Sequence, residues 1–170
     1  MELKLKTISK SGIPQALARA ETYRYLNQPE ETESICRDVL AVDADNQLAL
    51  RLLGLAIVDQ FCDEVSGRWA EAESIFQSLT DPYERVYYTG VLHERKARAQ
   101  LHAGEPAHML LPLVEHAMAC FEEAAIIRPH GNDDSILRWI RCVRLMRGLA
   151  GAEEEKEAVG LYVADGAPVA

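Results

Sequence analysis

The side chains able to do chemistry are few and scattered. Histidine is the usual general base and metal ligand, and the chain has five: His93, His102, His108, His116 and His130. None stands in an HExxH arrangement, and no two are four residues apart on one helix, so their spacing points to no zinc site or base pair. Cys36, Cys62, Cys120 and Cys142 are separated by 26, 58 and 22 residues, which fits no zinc pattern and includes no CxxC pair. Cys36, Cys120 and Cys142 stand in apolar stretches, where a free thiol serves as a small core residue. GxSxG, Walker and GxGxxG motifs are all absent. Asp133 and Asp134 fall just before a helix, where one acid caps the amides and the other favours the dipole. These residues imply no catalytic centre, no metal and no cofactor.

Arginine supplies the most ordered charge pattern. Arg138, Arg141, Arg144 and Arg147 step by three residues, so each is displaced about 60° from its predecessor on a helix of about 3.6 residues per turn. They form a slanting basic stripe beside an apolar face of Ile136, Trp139 or Ile140, Val143 and Met146. Such a stripe docks an acidic peptide or a phosphate, or else it pairs with acids of the preceding helices while its stems shield the core.

The elements that hold these residues must belong to a small protein of ordinary composition. Its 170 residues are 48% hydrophobic and 26% charged, which suits one globular domain. The net charge of −9 leaves no global basic field for a polyanion, so nucleic acid is not an expected partner. Charge is uneven: residues 1–25 carry net +3 and residues 26–80 net −8. No stretch approaches a membrane span, since the richest run, 48–58, is broken by Arg51. The N-terminus lacks the apolar segment of a secretory signal, so no membrane partner and a cytoplasmic location are expected.

Apolar residues recur at three- and four-residue steps almost throughout, for example Leu48, Leu52, Leu55, Ile57 and Val58. The sole period-two candidate is Leu161-Tyr162-Val163 near the end. Breakers divide the chain at Asn27-Gln28-Pro29, at 43–46, at Ser66-Gly67, at Thr80-Asp81-Pro82, at Gly104-Glu105-Pro106 and at 128–133. The pattern predicts an all-α fold of helices about 12–22 residues long, joined by short turns into hairpins.

Self-similarity is strongest in Ala117, Phe121, Ala124 and Pro129, where a small residue, an aromatic, a second small residue and a helix-stopping proline occur in turn. This resembles the second-helix signature of the tetratricopeptide repeat family. Leu50, Leu53, Gly54 and Ile57 match its first-helix pattern, and Ala72, Phe76 and Leu79 the helix after it. Ala20 and Tyr23, then Thr32, Cys36, Val39 and Ala44, fill the same places earlier, and Val86, Gly90 and His93 open a third unit. Repeat starts near 13, 47, 83 and 132 give spacings of 34, 36 and 49, with insertions expected around 61–67 and 102–113. The resemblance covers roughly residues 12–148 and is to a small bacterial type in which a segment like Pro129 to Trp139 succeeds the repeats. The first unit departs from the pattern at Ala16 and Arg19.

The resemblance implies a right-handed superhelix of stacked antiparallel helix pairs over residues 1–150, with about three repeats and a capping helix at about 133–148. Residues 151–170 then form a flexible acidic tail. It further implies that first helices line a concave groove that holds a peptide or helix of another protein. The groove residues carried over are Glu21, Arg24 and Tyr25, then Arg51, Leu55 and Asp59, then Tyr87, Val91, Glu94 and Arg95. The Lys, Asn and Arg clamp of chaperone-binding members has no counterpart at matching positions. The expected function is that of a non-catalytic adaptor or scaffold. Two other readings stay open: a homo-oligomer that uses the groove or capping helix on itself, and a small-ligand or metal-binding module in the 102–113 insertion.

Overall fold

A computed structural model describes residues 4–61 and 66–164. A single 3-10 turn, Lys10–Gly12, leads into seven α-helices among the described residues. These are α1 (Ile13–Tyr25), α2 (Pro29–Leu40), α3 (Gln47–Asp59), α4 (Ser66–Gln77), α5 (Pro82–His102), α6 (Ala107–Ile127) and α7 (Asp134–Ala164). None of them is long and apolar enough to cross a membrane.

The breakers act as their chemistry dictates. Pro14, Pro29 and Pro82 occupy the first turns of α1, α2 and α5, where a missing N–H leaves no bond unmade. Asn46 Oδ1 accepts the Ala49 amide at 3.0 Å, and Asp81 Oδ1 accepts that of Tyr83 at 2.8 Å, capping α3 and α5. At the start of α7 the cap is Asn132, whose Oδ1 accepts the Asp134 amide at 2.9 Å. Asp133, expected to share that role with Asp134, instead lies 3.4 Å from Arg128. Ser66 and Gly67, read as a break, are the first two residues of α4.

Each helix packs on its neighbours in sequence, and α1 also meets α3 while α3 meets α5. The helices α1, α3 and α5 therefore lie side by side, with α2, α4 and α6 packed against them. The core between them repeats. Thr32, Ala72 and Ala117 are fully buried on the even helices, as are Cys36, Phe76 and Phe121 four residues on. Val39, Leu79 and Ala124 come three residues later and are equally enclosed. Opposite them stand the small residues Ala20, Gly54 and Gly90. A Cβ on Gly54 would lie 2.4 Å from Phe76 Cε1, and one on Gly90 would lie 2.7 Å from Phe121 Cε1. No side chain fits at those distances, so the ring packs directly on the opposing backbone.

The expected insertion at 102–113 is not a loop. It lengthens both helices of the third hairpin to 21 residues, against 13 and 12 in the first two. The two long helices meet at a tight turn through Gly104, at φ 86°, a backbone region that suits glycine. Part of the other expected insertion, residues 62–65, lies outside the described residues, as do 165–170. The α7 backbone stays helical through Ala164, past the boundary at 150 and across the candidate strand 161–163. Its inward face is also rotated from expectation. Ser135, Cys142 and Leu149 are buried, while Ile136, Ile140 and Val143 are half-buried. Trp139 and Met146 do pack on the core. The rotation accords with Arg138, which turns inward to reach a buried acid on α5.

Candidate functional site: the odd-helix face

Along α1, α3, α5 and α7 the side chains are tied across helices by arginine–carboxylate pairs. Arg24 Nε of α1 lies 2.9 Å from Asp59 Oδ2 of α3, and Arg95 Nη2 of α5 lies 3.3 Å from Oδ1 of the same carboxylate. Arg51 of α3 donates to Glu84 of α5 at 2.6 Å. From α7, Arg138 Nη1 donates to Glu94 Oε2 at 2.8 Å, and Arg141 Nε lies 3.4 Å from Oε1. Asp59 and Glu94 thus each serve two arginines. The Nε atoms of Arg24 and Arg95 are buried without an aligned acceptor among the described residues, so these guanidinium groups are held there by charge more than by hydrogen bonds.

Two recesses open on this face. One of ≈ 200 Å³ is lined by Glu21, Arg24, Tyr25, Arg51, Leu55 and Tyr88 among others. The second, ≈ 330 Å³, is bounded by Val58, Asp59, Phe61, Arg95, Arg98, Ala99 and His102. Desolvation pushes the Arg95 pKa down from its usual value; the Asp59 charge opposes this, and Arg138 and Arg98 add to it. Burial likewise raises the Tyr88 phenol to about 12.

The residues carried over as groove-lining divide into two groups. Glu21, Arg24, Tyr25, Arg51, Leu55, Asp59 and Arg95 border these recesses. Tyr25 is the most accessible, at 85% exposed, whereas Leu55 shows only 9% of its surface. Tyr87, Val91 and Glu94 lie deeper, where α5 packs on α6 and is reached by the arginines of α7. Val91 and Glu94 are each 1% exposed, and Tyr87 stacks on Tyr83 and tilts against Phe121. Glu94 is an internal counter-ion for α7. The basic stripe divides as well. Arg138 and Arg141 turn to Glu94, while Arg144 and Arg147 have no carboxylate partner among the described residues.

Seven lining residues escaped the sequence reading: Leu52, Val58, Phe61, Tyr88, Arg98, Ala99 and His102. Arg98 and His102 stand three and seven residues after Arg95 on α5, so helical spacing alone carries them to the same face. They were missed because the groove positions carried over from the repeat family stop at Arg95, while α5 runs on to His102.

A second polar cluster sits between α4, α5 and α6. His93 and His116 lie with ring centroids 4.0 Å apart, Trp69 meets His93 edge-on at 4.8 Å, and Lys96 Nζ stands 4.5 Å over the Trp69 ring. Burial, with the charges of His116 and Lys96, lowers His93 to about 4. Its Nδ1 is buried without a partner among the described residues. No group of three metal-ligating side chains occurs among the described residues. Burial raises the Cys36 and Cys142 thiols to about 12 and that of Cys120 above its usual value, which leaves all three as unreactive thiols. No family model matches the chain, and no curated protein or solved structure matches it either.

Proposed function

We propose that this chain is a non-catalytic protein–protein interaction module of tetratricopeptide type, which holds a peptide or helix of another protein along the face of α1, α3 and α5. The observation that carries the reading is the arrangement of that face. Three successive odd helices present recesses walled by both apolar and charged side chains, held rigid by inter-helix ion pairs. Pre-ordered side chains lose less entropy on binding, which is what a recognition surface requires. The recurring places of Ala20, Gly54 and Gly90 against Cys36, Phe76 and Phe121 support the repeat assignment.

The test is partner capture by the full chain, compared with a Tyr25→Ala/Arg98→Glu variant. Both residues border the recesses and neither holds a carboxylate among the described residues, so helicity should be unchanged. Arg51 and Arg95 are poorer choices, because reversing either breaks a pair between helices. A protein retained by the native chain and lost by the variant supports the reading; equal retention by both overturns it.

Self-association is favoured by a different observation. Near the α6–α7 turn, Ile126 is 84% exposed, Ile127 46% and Leu137 62%, three large apolar side chains left uncovered. Light scattering decides this reading: a native dimer that becomes monomeric on Ile126→Ser with Leu137→Ser supports it, and a native monomer ends it.

A further inference from the structure

Among the described residues, the charged groups paired across the odd-helix face or lining its recesses are net positive, opposite in sign to the chain. Counting through its ion pairs and recesses, six arginines (Arg24, Arg51, Arg95, Arg98, Arg138 and Arg141) meet four carboxylates (Glu21, Asp59, Glu84 and Glu94) among the described residues. The whole chain carries −9. Each recess is lined by two arginines and one carboxylate, and the ≈ 330 Å³ one holds Arg95 and Arg98 against Asp59. There Asp59 is shared between Arg24 and Arg95, and Arg98 has no carboxylate partner among the described residues. His102 stands exposed at the same rim. Val58, Phe61 and Ala99 supply an apolar wall beside these cations.

We propose that this recess receives an acidic peptide segment, with a carboxylate seated on Arg95 and Arg98 and a neighbouring apolar side chain against Val58 and Phe61. The proposal rests on the reading of this face as a protein-binding surface and names the chemistry of its partner. Three arguments favour a carboxylate peptide over a phosphate polymer. The arginines of this face already hold carboxylates, so their spacing suits a singly charged planar acceptor. Asp59, inside the recess, opposes a group of higher charge. The acidic remainder of the chain repels a long polyanion, whereas a short segment feels chiefly the local field. Arg95 is already fixed by Asp59, so seating a ligand on it costs little further ordering.

Fluorescence anisotropy with the full chain tests this directly. The probes are a short dye-labelled peptide of alternating glutamate and phenylalanine, the same peptide with glutamine for glutamate, and a labelled oligothymidylate. The glutamate peptide is expected to bind about tenfold more tightly than the glutamine form, and to weaken as salt is raised. Arg98→Glu should lose at least about tenfold with unchanged circular dichroism, while Arg144→Glu with Arg147→Glu, outside the recess, should bind like the native chain. Equal binding of the two peptides, native affinity in Arg98→Glu, or tighter binding of the oligonucleotide overturns the acidic-peptide assignment. If neither peptide binds while partner capture still depends on Tyr25 and Arg98, that assignment falls and the protein-binding face stands. If capture is also indifferent to Tyr25 and Arg98, both fall.

Discussion

In the second and third hairpins a phenylalanine lies on a glycine, Phe76 on Gly54 and Phe121 on Gly90, whereas the first hairpin holds Cys36 and Ala20 at those places. The first hairpin makes up part of the difference with a polar tie: the buried Thr32 Oγ1 donates to the Ala20 carbonyl at 3.0 Å, where the later hairpins have Ala72 and Ala117. An aromatic ring buries far more apolar area than a thiol, so the two later hairpins carry more of the hydrophobic stabilisation. The same register can thus be satisfied by volume in one hairpin and by a hydrogen bond in another. It also explains why the repeat is hardest to read at its start.

Truncating the rings should expose this contrast most strongly. Phe76→Ala and Phe121→Ala are each expected to cost about 4 kcal/mol, against about 1 kcal/mol for Cys36→Ala, measured by urea unfolding. Similar losses at all three positions would break the comparison.

Adding a methyl group probes it from the other side. Gly54→Ala and Gly90→Ala should each cost about 3 kcal/mol by forcing the ring off the backbone. In the Gly90→Ala background, Phe121→Ala should cost clearly less than it does alone, because the clash partner has gone. Additive losses would show that the ring and the glycine do not share one space.

Glu94 and Asp59 offer a third contrast, between a buried and a half-buried hub of two arginines. Glu94→Gln should cost about 3 kcal/mol, since Arg138 loses its counter-ion in an enclosed site. Asp59→Asn should cost less, about 1 kcal/mol, because the Asp59 side chain is partly solvated, at 16% exposed against 1% for Glu94. Equal losses would place the two hubs in the same environment.

A pH dependence belongs to the third hairpin. His93 titrates near 4 in the folded chain and near 6.5 when unfolded, so its neutral form is the one the fold accepts. That contribution is complete above pH 6.5 and is lost as pH falls toward 4, on the order of 2 kcal/mol. His116 on α6, Lys96 on α5 and Trp69 on α4 surround it. Substituting His93→Phe should flatten stability between pH 6.5 and 4.5. Below that range Glu33 takes over: burial would raise its carboxyl, but hydrogen bonds from Arg68, Gln60 and Arg37 hold it at about 2, so its share is lost between 4.5 and 2. A slope between pH 6.5 and 4.5 that survives His93→Phe would place the sensitivity elsewhere.

Much of this architecture was legible because it is local. Pro29, Asn46, Asp81 and Pro82 set helix starts through backbone chemistry that acts within a few residues, and α1, α3 and α5 begin at Ile13, Gln47 and Pro82. The inward places of Phe76 and Phe121 come from helical spacing alone. What misled was the length of the third hairpin. A longer spacing reads equally well as a loop or as added turns, and only the packing of α5 on α6 favours helix through to the turn at Gly104. Arg98 and His102 were absent from the candidate site for another reason, since the positions carried over from the repeat family end at Arg95.

Sequence by itself determined the helical class, the helix starts and the alternation of small and bulky residues, because propensity, capping and spacing act within one or two turns. Tertiary structure alone decided which acid meets which arginine. Nothing within α5 distinguishes Glu94, enclosed beneath Arg138 and Arg141, from Glu84, half-exposed beside Arg51. Their difference arises where α7 comes against α5, since desolvation and Coulomb attraction depend on distance in space and not on separation along the chain. For the same reason the cationic excess around Arg95 and Arg98 becomes visible only once the odd helices lie side by side, on a chain whose composition is acidic.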